Sequence, residues 1–129
     1  MGLNCSHNAF DGAYSAFNRF RQEVAKAAGC KYPPHDDKSL DGDMWYTADG
    51  MTEETNPGLY ELFKHSDCDG DIAPGMCLIL AAELEPLLDR MSDEGGGHIA
   101  RNGGYRQTLQ NFIDGLREAG EAGEPLDFH

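Results

Sequence analysis

The chain has 129 residues with 40% hydrophobic content, enough for one domain with a real core and too little for two. Ten lysines and arginines stand against 23 aspartates and glutamates, a formal charge of −13, which sets an acidic surface against direct contact with nucleic acid or anionic membrane. No apolar run approaches the roughly 18 residues of a spanning helix, and MGLNCSHNAF lacks both a basic start and an apolar signal core, so the expectation is a cytoplasmic protein with one domain over residues 1–129.

At the N-terminus, Leu3, Cys5, His7 and Ala9 alternate with polar neighbours, a pattern that fits a short strand pair or a cover for one end of a bundle. Helical periodicity then takes over. Tyr14, Phe17, Phe20, Val24 and Ala27 recur at three- and four-residue steps from about Ala13 to Ala28, and Gly29 supplies a stop. Basic residues are frequent here: residues 1–32 hold Arg19, Arg21, Lys26 and Lys31 against Asp11 and Glu23.

Residues 30–56 show no sustained period and read as a long irregular loop. Within it Met44, Trp45 and Tyr46 form an apolar knot. Trp45 suits either a loop anchor or a stacking platform for a ring-shaped ligand. Asn56 followed by Pro57 signals the next helix start, with Leu59, Leu62 and Phe63 directed inward.

HSDCDGDIAPGM, residues 65–76, resembles the calcium loop of an EF-hand: Asp67 and Asp69 precede Gly70, Asp71 supplies a carbonyl and Ile72 the apolar position. His65 at the first position and Met76 at the twelfth depart from that pattern, since neither brings a carboxylate. Without metal the same residues make an Asx-type turn in which Gly70 takes positive φ and Ile72 plugs the corner. Asp67, Asp69 and Asp71 are thus candidates for weak calcium or other divalent binding. The four cysteines, Cys5, Cys30, Cys68 and Cys77, form no CxxC pair and are expected to be reduced. Cys5 with His7 and His65 with Cys68 would make a transition-metal site only if the fold brings them together.

A further helix is expected from Pro74, with Cys77, Leu80, Ala81, Leu84, Leu88 and Met91 on one face, kinked or divided near Glu85 by Pro86. GGGHIARNGGYR, residues 95–106, leads into a final helix from Tyr105 to Ala122 that carries Leu109, Phe112, Ile113 and Leu116 and is closed by Gly123 and Pro125. The architecture expected is mainly α: a small helical bundle-like domain with a long loop and a short N-terminal strand pair.

Helix N-termini attract anions, and Arg101, Arg106, His98 and Tyr105 surround this one, with Arg19 and Arg21 on the aromatic first helix. Together with Trp45 these residues are the candidate pocket for an anionic small molecule such as a signalling nucleotide. The sequence has no GxSxG or HExxH motif, so a non-catalytic role is expected. The runs NCSHNAFDGAYSAFNRFRQ, FKHSDCDGDI, GHIARNGGYR and EPLDFH resemble those of a small family of bacterial and phage proteins without an assigned activity. Met76 and Leu78 depart from the more charged residues of that resemblance. It implies a small cytosolic accessory protein; the clustering of arginines with glycines and aromatics adds the expectation that it acts by binding and sequesters an anionic small molecule, with occupation of a host protein or DNA mimicry through acidic residues 36–54 as the alternative. A homodimer is compatible with a bundle that leaves an apolar face open.

Overall fold

The structure, a computed structural model, describes residues 2–28, 57–64, 70–91 and 103–128. The expected loop 30–56 lies outside them. Among the described residues the order is β1 (Gly2–Asn4), a 3-10 turn (Ser6–Asn8), β2 (Asp11–Ala13), α1 (Tyr14–Ala28), α2 (Pro57–Lys64), β3 (Asp71–Ile72), α3 (Pro74–Leu84), a 3-10 helix (Glu85–Arg90), α4 (Tyr105–Ala122) and β4 (Leu126–Asp127). The fold is mainly helical, and the N-terminal strand pair is present as β1 and β2, antiparallel with Gly2 opposite Ala13 and Asn4 opposite Asp11.

Apolar periodicity explains the packing of α1 and α4. Phe17, Phe20 and Val24 on α1 and Leu109, Phe112, Ile113 and Leu116 on α4 are all fully buried, as helices with one apolar stripe require. Their rings interlock: Phe20 meets Phe112 edge-on at 5.5 Å between centroids, and Phe17 meets Phe10 at 5.0 Å and Phe128 at 5.7 Å in the same manner. Both ends of the chain thereby enter one aromatic cluster.

Proline sets the local boundaries. Pro57 and Pro74 each stand at the first position of a helix, where the missing N–H removes no helical bond and φ is already suitable. Pro86 ends α3 as expected: α-geometry stops at Leu84 and a 3-10 helix continues to Arg90. This tightening changes which leucine faces inward. With three residues per turn the position after Leu84 on the buried side is Leu87, which is buried, while Leu88 is only partly so.

The expected N-terminal alternation stops at Cys5. His7 and Asn8 both adopt φ +58°, a left-handed pair that turns the chain back toward β2. Gly70 has φ +91° and Ile72 is buried, features that the metal-free turn and the calcium-loop reading share. Strand β3 pairs with β4, Ile72 opposite Leu126. The Phe128 N–H donates to the Gly70 carbonyl at 2.9 Å, and the Asp127 N–H donates to Ser6 Oγ at 2.9 Å. The C-terminal segment therefore joins the N-terminal turn to the entrance of α3.

Candidate functional site

Of the residues assigned to an anion pocket, Trp45, His98 and Arg101 lie outside the described residues, as do Asp67 and Asp69. Those that are described do not converge. Arg19 is exposed and Arg21 is buried, because two positions on a helix are about 200° apart. The Arg21 guanidinium lies 4.8 Å from the Phe17 ring centroid and its Nη1 donates to the Leu62 carbonyl at 3.3 Å. Arg106 donates from Nε to the Leu88 carbonyl at 3.1 Å and from Nη2 to the Met91 carbonyl at 3.0 Å. Tyr105 packs against the core at the start of α4, and Asp71 is exposed on β3.

These contacts share an electrostatic cause. The last carbonyls of a helix lack intrahelical donors and carry the negative end of its dipole. Arg21 reaches the last turn of α2. Arg90 Nη1 reaches the Ala27 carbonyl at the end of α1, at 3.0 Å, and Arg106 closes the 3-10 helix. At the opposite pole, Glu83 accepts from the Gly58 and Leu59 N–H groups at the start of α2, at 2.7 and 3.3 Å. Among the described residues, folding thus engages Arg21, Arg90 and Arg106 at helix ends.

The described cysteines, Cys5 and Cys77, are free and buried. Burial pushes the Cys5 thiol up to about 12 and raises that of Cys77 as well. Both are neutral thiols at physiological pH, whereas nucleophiles and soft-metal ligands need the thiolate. His7 faces acids: its Nδ1 is 3.3 Å from Glu118 Oε1 and its Nε2 is 3.6 Å from Glu124 Oε1, while His65 and Cys68 lie outside the described residues. Among the described residues no group of three or more His, Cys, Asp or Glu side chains is placed to hold a metal ion.

The surface that stands out is on α3. Its sequence PGMCLILAAEL contains one charged residue, Glu83, which is turned toward α2. Cys77, Leu80, Ala81 and Leu84 face the core. Gly75, Leu78, Ile79 and Ala82 are exposed, Leu78 at 42% and Ile79 at 43%, and Pro86 continues the line beyond the helix. That spacing of three and four residues is a second helical face, apolar and turned outward. Gly120 of α4 allows the close approach on one side: a Cβ there would stand 2.5 Å from Leu78 Cγ and 3.0 Å from the Pro74 carbonyl oxygen. Gly58 of α2 does the same on the other side, where a Cβ would stand 2.6 Å from Leu80 Cα.

No family model, curated protein or solved structure matches the chain. The functional reading therefore rests on the geometry above. Sequence reasoning marked Leu78 only as an apolar departure from an expected charged position and did not single out Ile79 or Ala82, although a signal was present. A segment apolar all round cannot hide every side chain against a single core face, so some must project into solvent.

Proposed function

We propose that this protein is a non-catalytic binding module whose outward α3 face contacts another protein. The observation that carries this reading is the pair Leu78 and Ile79, exposed at 42% and 43% on a helix whose outward side presents no charged side chain. Contiguous apolar surface of this kind on an acidic, water-facing protein marks interaction sites far more often than scattered exposed leucines do. Catalysis receives no support from the described cysteines, which are buried thiols. An anionic-ligand site would have to be assembled around Arg101 and His98, because Arg21 and Arg106 serve helix ends.

The test compares proteins co-purifying with the wild type, with Ile79→Asp and with Gln22→Asp, an exposed control on α1, under quantitative mass spectrometry. Ile79→Asp is expected to lose partners that Gln22→Asp keeps, with folding stability altered by less than about 1 kcal/mol at so exposed a site. Identical partner sets for all three proteins would remove α3 from the function. A nucleotide-sized mass released from the native protein on denaturation would return the reading to an anionic small molecule.

A further inference from the structure

The segment after α4 crosses both described thiols. Gly123 ends α4 at φ +70°, and the Gly123 and Glu124 N–H groups donate back to the Gly120 and Ala119 carbonyls at 3.2 and 2.9 Å. The helix is thus capped before the crossing begins and stays capped if the segment leaves. Glu124 and Pro125 are exposed, whereas Leu126 and Phe128 are buried. Residues 124–128 therefore form a strap with two apolar plugs, paired with β3 over two residues.

Each plug stands at one thiol. Cys5 faces Phe128 across an isolated antiparallel bridge. Cys77 donates from Sγ to the Ile72 carbonyl at 3.3 Å, Ile72 is paired with Leu126, and the Leu126 backbone also reaches the Cys77 thiol. Further ties run to turns: the Asp127 N–H to Ser6 Oγ and the Phe128 N–H to the Gly70 carbonyl, both at 2.9 Å. A short strand held in this way opens at a lower free energy than helices packed through the core.

We propose that residues 124–128 form a strap that opens without unfolding of the helices, and that its opening uncovers Cys5 and Cys77 together as reactive thiols. While the strap is closed, burial keeps both thiols neutral and away from solutes. Release removes that burial from both at once. An adduct on Cys5 has no space beneath Phe128, so modification holds the strap open and leaves Cys77 accessible. A thiol-reactive solute is thereby converted into a lasting release of Leu126 and Phe128. The device is independent of the contact proposed for α3.

The test is the reaction of the full chain with N-ethylmaleimide, in which the thiolate adds across the ring double bond and the neighbouring ring carbon takes a proton from water. Fragmentation of intact chains in the mass spectrometer follows each cysteine, and each rate is compared with that of the urea-unfolded chain. Below the unfolding transition Cys5 and Cys77 are expected to share one protection factor to within about threefold. It should be nearly independent of urea, because strap opening exposes little surface. Ser6→Ala removes the Asp127 tie and should speed both reactions about three- to tenfold. Phe128→Ala removes a plug and should speed both by about a hundredfold or more, with helical circular dichroism retained; if that variant does not fold, Ser6→Ala carries the test. Early in the reaction, chains should carry both adducts or neither, and accumulation of chains modified at Cys5 alone would refute the holding step. Protection that falls with urea as steeply as the global transition would show that whole-chain unfolding is what reaches the thiols, and overturns the proposal. Acceleration of one thiol without the other by Ser6→Ala, or of neither, overturns it as well.

Discussion

Gly115→Ala sets helix propensity directly against packing. Gly115 is buried within α4, where alanine is favoured over glycine by about 1 kcal/mol in an open helix. Here a Cβ would stand 2.5 Å from Ala9 Cβ, 2.7 Å from Ala9 Cα and 3.0 Å from Ala9 N. Ala9 cannot easily withdraw. Its N–H donates to the Ser6 carbonyl at 3.3 Å, and the adjoining turn is closed by the Cys5 N–H donating to the Phe10 carbonyl at 2.8 Å. Overpacking costs about 1–3 kcal/mol, and backbone obstacles place this case in the upper half. The net expectation is a loss of about 1–2 kcal/mol, or roughly 4–7 °C in melting temperature for a domain of this size. Gly75→Ala supplies the opposite sign: nothing lies within 4 Å of a Cβ there, so stability should rise by about 0.5–1 kcal/mol. Urea denaturation followed by circular dichroism measures both, with an unchanged dependence on denaturant showing that the unfolded state is the same. Ala9→Gly added to Gly115→Ala should recover only part of the loss, because Ala9 Cα remains in the way. The reasoning fails if Gly115→Ala is as stable as the wild type, or if the two single variants shift in the same direction.

Arg106→Met should cost about 1–2 kcal/mol in the same titration, because two donors to the Leu88 and Met91 carbonyls disappear. Arg106→Lys should recover less than half of it, since an ammonium cannot reproduce the forked geometry; full rescue would show that only charge matters there. The alkaline limit of stability tests Cys5, whose thiol is raised from 9.0 to about 12 by burial. Below pH 9 that stabilisation is fully present. Above it the unfolded chain releases a proton that the native chain keeps, so stability falls until the pH passes the folded value, by up to about 1.4 kcal/mol per pH unit. Melting temperatures across this range should decline less steeply for Cys5→Ala than for the wild type, and parallel declines would refute the assignment.

Local chemistry was the legible part of this sequence. Pro57 and Pro74 open helices, Gly123 closes one at φ +70°, and Pro86 interrupts another, because each acts on its own backbone and its immediate neighbours. The periodic apolar positions of α1 and α4 were legible for the same reason. Arg21 was not. It shares the buried side of α1 with Phe17 and Val24, yet arginine in a sequence suggests solvent or a ligand, and its burial depends on a carbonyl 41 positions away. The bonds of Arg106 to the Leu88 and Met91 carbonyls were equally hidden in the sequence, because they depend on where the preceding 3-10 helix ends.

By itself, the sequence determined the mainly helical class, most helix boundaries and the acidic balance of charge. All of these follow from interactions within a few residues or from simple counting. Only the tertiary structure decided which charges would be engaged in holding helix ends and which of α3's two apolar faces would remain outside. Those outcomes depend on neighbours brought together by folding: Gly58 and Gly120 let α2 and α4 approach the flanks of α3, and the helix is left with Leu78 and Ile79 facing water.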